Sequence, residues 1–459
     1  MSNRLRKFLL IYLLSVAPGL RAQAGPAESI GARATDPDRT LQLSLKQAVD
    51  IALSPDGNAR VRIAEQLIRQ AQARSAQARA ALLPNLDASV SQQSQTRNLA
   101  AFGIRIQLPI PGFVFPTFVG PFSVFDARAA ASQSVFDLSS IRRFQASRSG
   151  VTQAEAERES TQDQVVDQVA RAYLASLRAQ ASVDTAKANV DLAEVLLKLA
   201  NDQKTAGTGT GLEVTRASVQ LANEKQGLLV AQNDLTKAHL QLLRLVGLDL
   251  STAVELTERL SYTPVPAVTA QQALQVALEC RSDWKAQARR EETARLSQSA
   301  TKLERIPSLN LFADYGSIGS GIDHAIPTRT YGFAVRVPVF DGGRREARRA
   351  ESSSQFQQER IRTRDLRAQI ELEIRLALDS LRSANEQVKT AEEGLALSEN
   401  ELAQAERRYK AGMGSSIEVT DAQTRLERAQ GNRILALFNY NVARIDLSTA
   451  TGTIRQMVQ

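Results

Sequence analysis

The sequence predicts a mainly α-helical chain, internally duplicated, with a small β portion in each half. Three observations carry that expectation: a long segment recurs 205 positions on, each copy holds two unbroken helical stretches joined at a glycine, and an alternating β-hairpin pattern precedes each pair. In the first copy Ala206-Gly207-x-Gly209-x-x-x-Glu213-Val214-Thr215-x-Ala217 punctuates the helices; in the second Ala411-Gly412-x-Gly414-x-x-x-Glu418-Val419-Thr420-x-Ala422 does the same. Val183, Val190, Leu197, Leu221, Leu242 and Gly247 recur as Val388, Leu395, Leu402, Leu426, Leu447 and Gly452. So long a period denotes a duplicated domain, not a solenoid array.

The helices come first because they fill most of the chain. From Leu381 to Tyr409 one heptad row is Leu381, Val388, Leu395, Leu402 and Tyr409, and the other is Ala384, Ala391, Ser398 and Ala405. The first copy sets Val183, Val190 and Leu197 against Ala179, Ala186, Ala193 and Ala200. A sustained 3-4 spacing aims one seam at a neighbouring helix. The small second row lets backbones approach closely, which suits several helices laid side by side. Nothing breaks the helix from Ser139 to about Thr205, or from Arg344 to about Lys410. At 1.5 Å per residue each is a rod of about 100 Å. Gly207 and Gly412 are placed as helix stops. A shorter helix then returns from about Gly211 to Val246, and from about Ser416 to Thr451, so the tips fall at 205–212 and 410–417.

The strands are next. Leu309, Leu311, Ala313 and Tyr315 share one face opposite Asn310 and Asp314; Tyr331, Phe333, Val335 and Val337 share a face opposite Arg336. In the first copy Leu86, Ala88 and Val90 oppose Asp87, Ser89 and Ser91, while the partner near Asp126–Val135 barely alternates. Apolar-out, polar-in alternation over about ten residues is what the wall of a membrane barrel requires. Pro84 to Asp137 spans 53 residues and Pro307 to Asp341 spans 34, so the first copy carries 19 more, read as a surface loop around Ala100 to Pro121. Four strands cannot close a membrane barrel, the smallest of which has about eight. An open edge in lipid leaves backbone groups unpaired. Several chains must therefore share one barrel; two would give about eight strands and three about twelve, and the larger leaves room for an aqueous lumen.

The chain ends and composition fit this picture. Arg4, Arg6 and Lys7, the apolar run Phe8 to Val16 and Ala22-Gln23-Ala24 read as a secretory leader. Nine or so apolar residues are too few to cross about 30 Å of hydrocarbon as a helix, so any span of the mature chain must be β. Cys280 is the single cysteine, leaving no disulfide and none near the cleavage site to carry a lipid. The formal charge of +8 loses Arg4, Arg6, Lys7 and Arg21 with the leader, and the remaining charges interleave along the helices as solvated faces do. No nucleic-acid partner is implied. His239 and His324 lack any ligand cluster, and Gly207-x-Gly209-x-Gly211 lacks the strand and lysine of a phosphate loop. Neither a metal, a cofactor nor a catalytic constellation is expected. The boundaries are a leader at 1–24, a flexible N-terminal segment at 25–42, and a first repeat at 43–260 with a β-hairpin at about 84–137 and a helical hairpin at about 138–248. A second repeat at 261–459 has the same parts at about 307–341 and 342–452.

Three motifs carry a family resemblance: Val339-Phe340-Asp341-Gly342-Gly343-Arg344, Tyr409-Lys410-Ala411-Gly412 through Glu418-Val419-Thr420-Asp421-Ala422, and Arg281-Ser282-Asp283-Trp284. With the duplicated order of elements, from about Leu43 to Ile454, the chain resembles the TolC-like outer-membrane efflux family. The resemblance implies a homotrimer in which long antiparallel coiled-coil helices form a trimeric α-barrel across the periplasm. Four strands per chain would join a shared 12-stranded β-barrel in the outer membrane. It implies docking onto a periplasmic adaptor and an inner-membrane transporter, surrounding lipid, and no enzymatic activity. It places Glu418 and Asp421 at the periplasmic entrance constriction, and Tyr409 among the bonds that close that entrance. The tips, with Gly207, Gly209, Gly412 and Gly414, would meet the adaptor. Gly414 stands where the family's type member carries an arginine, so a differently built closure is expected. Asp137-Leu138 replaces the Asp341-Gly342 of the second copy, so the first strand-to-helix junction is expected to bend differently. The alternative is a structural coiled-coil envelope protein with no conducting channel.

Overall fold

The computed structural model describes residues 41–104, 117–411 and 413–458. The leader, nearly all of the N-terminal segment, the middle of the 100–121 loop and Gly412 lie outside the described residues. The chain divides into Met1–Leu41 and Gln42–Gln459, and the architecture below is that of the second unit.

In chain order the elements are β1 (Leu41–Leu43), α1 (Leu45–Leu53), α2 (Ala59–Ala80), β2 (Asn85–Asn98), β3 (Phe118–Phe136), α3 (Leu138–Thr205) and α4 (Gly211–Val246). The second half repeats the order as β4 (Val254–Leu256), α5 (Ala270–Cys280), α6 (Ser282–Lys302), β5 (Ser308–Gly319), β6 (Ile326–Arg336), α7 (Arg344–Lys410), α8 (Ser416–Thr451) and a last short α9 (Ile454–Val458).

The two rods have 68 and 67 residues and their return helices 36 each. The near-identity follows from the duplication. Each return helix stops at a glycine in the left-handed region, Gly247 (φ 87°) and Gly452 (φ 73°). A Cβ at Gly452 would lie 2.7 Å from the Arg281 nitrogen, so space as well as backbone angle demands glycine there.

Along the rods the heptads do what the spacing implies. Ala384 and Val388 pack with Ala436, Leu437, Tyr440 and Ala443 of α8. Nearer the tip, Leu402, Ala405 and Tyr409 meet Val419, Ala422 and Leu426, with Leu192, Leu196 and Leu199 of α3 laid over them. That last contact joins the two hairpins side by side. Toward the sheet the rods trade these partners for α2 and α6. Ser147 meets Ser75, Ser149 meets Thr293, and Gln287 reaches Glu359.

Midway, the Arg281 side chain is buried between α5 and α6. Its guanidinium donates to Asp283 (2.7 Å), Glu373 (2.6 Å) and the Ala450 carbonyl (3.2 Å). Trp284 packs beside it on Ala273, Ala277, Ile370 and Ile374. One motif thus ties α5, α6, α7 and α8 together.

The four long strands form one antiparallel sheet in the order β2-β3-β5-β6. The hairpins of the two copies join through β3 and β5, with Ala129 opposite Tyr315 and Ala131 opposite Ala313. β3 starts at Phe118, inside the stretch read as a loop, and β2 runs to Asn98, beyond the alternation that ends at Ser91. The extra length is Ser/Gln-rich on β2, where pairing with β3 rather than hydrophobic alternation makes the strand.

One face of the sheet is apolar and open: Leu86, Val90, Tyr315, Tyr331 (80% exposed) and Phe333 (71%). Contiguous apolar exposure of this kind marks a surface that water does not cover. On the other face Arg128 bridges Asp126 at 2.6 Å and Asp314 at 3.5 Å. Opposite Arg128 stands Gly316, where a Cβ would come within 2.5 Å of the arginine's own. Within the chain, β2 and β6 are the sheet's two edges.

The strand-to-helix junctions differ, as their sequences do. Asp137 caps α3 by accepting from the Ser140 amide (3.1 Å). α7 instead follows two left-handed glycines, Gly342 (φ 69°) and Gly343 (φ 85°). There Asp341 accepts from the Arg345 amide (3.1 Å) and guanidinium (2.8 Å). That guanidinium holds its carboxyl below the ordinary value.

Candidate functional site

The duplicated tips sit at the end of the rods remote from the sheet. At the first, Ala206 continues the helix and Gly207 turns left-handed (φ 77°), so the amides of Thr208 and Gly209 both return to the Gln203 carbonyl at 3.0 Å. Thr210 then caps α4. The Glu213 amide donates to Thr210 Oγ1 (3.4 Å) and the Thr210 amide donates to Glu213 Oε2 (2.8 Å). This reciprocal capping box satisfies two helix-end amides at once.

The second tip has the same Ser/Thr-x-x-Glu wording in Ser415 and Glu418, yet Ser415 makes no side-chain cap. Glu418 pairs with Arg408 of α7 instead, Nε to Oε2 at 3.3 Å, while Arg408 Nη2 donates to the Met413 carbonyl at 3.3 Å. Gly414 makes room for that pair: a Cβ there would lie 3.1 Å from Arg408 Cβ and 3.2 Å from Glu418 Oε2. Equivalent glutamates thus hold a helix end in one copy and an arginine across the turn in the other.

Glu418 and Asp421 are both exposed, one helical turn apart on α8. The Asp421 carboxylate has no hydrogen-bond or ionic partner among the described residues. Tyr409 is elsewhere in character. It is buried between the hairpins, and its hydroxyl has no hydrogen-bond partner among the described residues. Burial first, and then the Glu213 carboxylate, raise its pKa above the ordinary value. Tyr409, Glu213, Arg216, Gln220 and Gln423 line a cavity of about 30 Å³ between the copies. The structure therefore brings Tyr409 to the contact between hairpins and leaves the two acids on the surface. Of the tip glycines, Gly207 is exposed, Gly209 and Gly414 are half-buried, and Gly412 lies outside the described residues.

Three features at this end escaped the sequence reading: the Arg408 pairing, the capping box of Thr210 and Glu213, and the burial of Glu224. Arg408 has a signal in hindsight, a cation one turn before the helix stop. Thr210 and Glu213 spell a capping box legible from spacing alone. Glu224 has none: it is buried on α4, accepts from Gln220 Nε2 at 2.6 Å, and its pKa is raised by burial first and then by Glu427 of α8.

The remaining candidates stay apart. His239 is half-buried on α4, its pKa lowered by burial, and His324 lies exposed in the turn between β5 and β6. Cys280 is free at the end of α5.

With the geometry established, known proteins locate the chain. The outer membrane efflux protein family model matches residues 53–248 and 273–453, one match per copy. The pyoverdine export outer membrane protein OpmQ of Pseudomonas putida is 26% identical over 391 residues, covering 84% of this chain and 81% of that protein. The outer membrane protein TolC of Vibrio cholerae is 21% identical over 335 residues, covering 71% and 76%. The crystal structure of the Campylobacter jejuni CmeC outer membrane channel superposes with a TM-score of 0.76 at 18% identity, covering 89% of this chain and 85% of that one. The long helices and the antiparallel sheet thus match the fold of TolC-type channels, the sheet being consistent with its β part. The chain belongs to the outer membrane efflux protein family.

Proposed function

We propose that the chain is the exit duct of a tripartite efflux or type I secretion system, working as a homotrimer. An inner-membrane transporter and a periplasmic adaptor would deliver the substrate to the helical end. The observation that carries this reading is the sheet of four strands whose edges, β2 and β6, have no partner among the described residues. In lipid each unpaired backbone group costs several kcal/mol, so edges must meet edges. Three copies joined β6 to β2 make about twelve strands, wide enough for a water-filled lumen. The apolar face, with Tyr331 and Phe333, then looks at lipid and the Asp126–Arg128–Asp314 cluster at the lumen.

At the other end, Glu418 and Asp421 would form the entrance constriction, six carboxylates around one opening in a trimer. Arg408 takes the place of the family's missing arginine by neutralising Glu418 within one chain. Tyr409 would act on the entrance through the packing between hairpins, and the tips bearing Gly207, Gly209, Gly412 and Gly414 would receive the adaptor.

The test is direct. Full-length protein purified from outer membranes should run as a heat-resistant trimer and give single-channel steps in planar bilayers. A monomer in gentle detergent, or trimers that never conduct, would overturn the proposal. The second outcome favours a purely structural envelope protein.

A further inference from the structure

We propose that the membrane-side ends of α3 and α7 form an arginine collar that binds the headgroups of anionic phospholipids in the leaflet facing the helices. The first two turns of α7 contain Arg344, Arg345, Arg348 and Arg349, and the second turn of α3 contains Arg142 and Arg143. A helix N-terminus carries positive partial charge and favours acids, so cations there are placed against the helix dipole. Against these six arginines the start of α3 sets only its cap Asp137, and that of α7 only Asp341 and Glu346. The cations exceed the acids at these helix starts, and the excess is available to an anionic partner outside the helices.

Geometry gathers these side chains into one belt. Glu304, in the short turn after α6, receives Arg143 from α3, and Arg348 from α7 lies 2.7 Å from its other oxygen without hydrogen-bond alignment. Arg305 reaches Glu346 on α7. The two helix starts and the end of α6 therefore stand at one level. The acids do not exhaust the belt. Among the described residues Arg344 makes no ion pair, though its charge acts on nearby Asp341, the Arg142 side chain donates only to Gln145 (2.8 Å), and Arg349 is 4.0 Å from its nearest carboxylate. All three are exposed.

Depth selects lipid as the occupant. Past the end of β6 the chain runs through Val339 (89% exposed) and Phe340 (86%), the latter four residues before Arg344. From Arg344 to Arg349 the helix rises only about 8 Å at 1.5 Å per residue. A bilayer of about 40–45 Å with a hydrocarbon core of about 30 Å leaves about 5–8 Å of headgroup on each side. With Val339 and Phe340 at the hydrocarbon boundary, the arginines lie in that layer, where phosphates are.

The test uses the full-length protein in detergent, titrated with phosphatidylglycerol or phosphatidylcholine and read by native mass spectrometry. Wild type should retain phosphatidylglycerol in preference to phosphatidylcholine. The triple variant Arg142→Gln, Arg344→Gln, Arg349→Gln should lose at least about tenfold in phosphatidylglycerol affinity, since each juxtamembrane arginine contributes about fivefold. Phosphatidylcholine retention should be unchanged. A control triple on the rods, Arg382→Gln, Arg407→Gln, Arg433→Gln, should behave as wild type. Should the first triple fail to assemble, wild type alone decides: phosphatidylglycerol must come off as ammonium acetate rises while phosphatidylcholine does not. Equal retention of the two lipids, an undiminished triple, an equally impaired control, no salt dependence, or full competition by millimolar inorganic phosphate would each sink the collar.

Discussion

At the scale of single residues, the tips show how one word acquires two uses. Glu213 and Glu418 are 205 positions apart in matching motifs, yet one closes a capping box and the other pairs with Arg408. If Glu418 and Asp421 form the entrance, the double variant Glu418→Gln, Asp421→Asn should weaken block of single-channel current by hexaamminecobalt(III) several-fold. Arg408→Ala should strengthen it, because Glu418 then loses its neutralising cation. Unchanged block in both would remove these acids from the entrance. Glu224 makes a pH prediction. Burial and Glu427 raise its pKa from 4.5, so its contribution to stability is fully present below about pH 4.5 and is lost as pH rises through the folded value. Glu224→Gln should therefore gain apparent Tm at pH 7 relative to wild type, and the advantage should vanish in acid. An advantage that does not depend on pH would contradict the assignment. The carboxylates at the tip were legible from the repeated motif. Their divergent partners were not, because hydrogen bonding depends on which side chain lies across the turn.

Among the elements, the glycines separate geometry from flexibility. Gly452→Ala forces a left-handed backbone and drives a Cβ to within 2.7 Å of the Arg281 nitrogen. The backbone alone costs about 1–2 kcal/mol, and the Arg281 backbone has to shift as well. Gly227 sits exposed inside α4, and a Cβ there meets nothing within 4 Å. Gly227→Ala should stabilise by about 0.5–1 kcal/mol through helix propensity. Thermal unfolding of the two variants checks both signs, and a destabilised Gly227→Ala would mean this face is packed in the assembly. The rods were readable because heptads mark their tip-side stretches (179–200 and 381–409) and no proline breaks helices of 68 and 67 residues. β3 was hardest to read: Arg128-Ala129-Ala130-Ala131 does not alternate, and its place follows from pairing on both sides.

For the whole molecule, membrane thickness sets the expectation. A strand of about 9–11 tilted residues crosses the hydrocarbon, and β5 and β6 have 12 and 11. β2 and β3 have 14 and 19, so their hairpin projects beyond the bilayer. Replacing residues 95–122 by a two-residue Asn-Gly turn joins Ser94 to Ser123, which already face each other in the register. Outer-membrane insertion and heat-resistant trimers should survive that deletion. Loss of the trimer would show that the projecting hairpin, not the shorter sheet, holds the chains together.

The linear order of residues was enough to establish duplication, rod length, the tips and an amphipathic sheet, because each arises from periodicity along one segment. Side chains three, four or two apart meet the same surface whatever the rest of the chain does. What awaited the folded chain was every contact between segments distant in sequence. These include the β3–β5 pairing that fuses both hairpins into one sheet, and the Arg281 bridge among four helices. Tyr409 is buried against the other copy, and the arginines of α3 and α7 are brought to one level through Glu304. Such contacts depend on how elements pack, and packing is a property of three dimensions that no local pattern encodes.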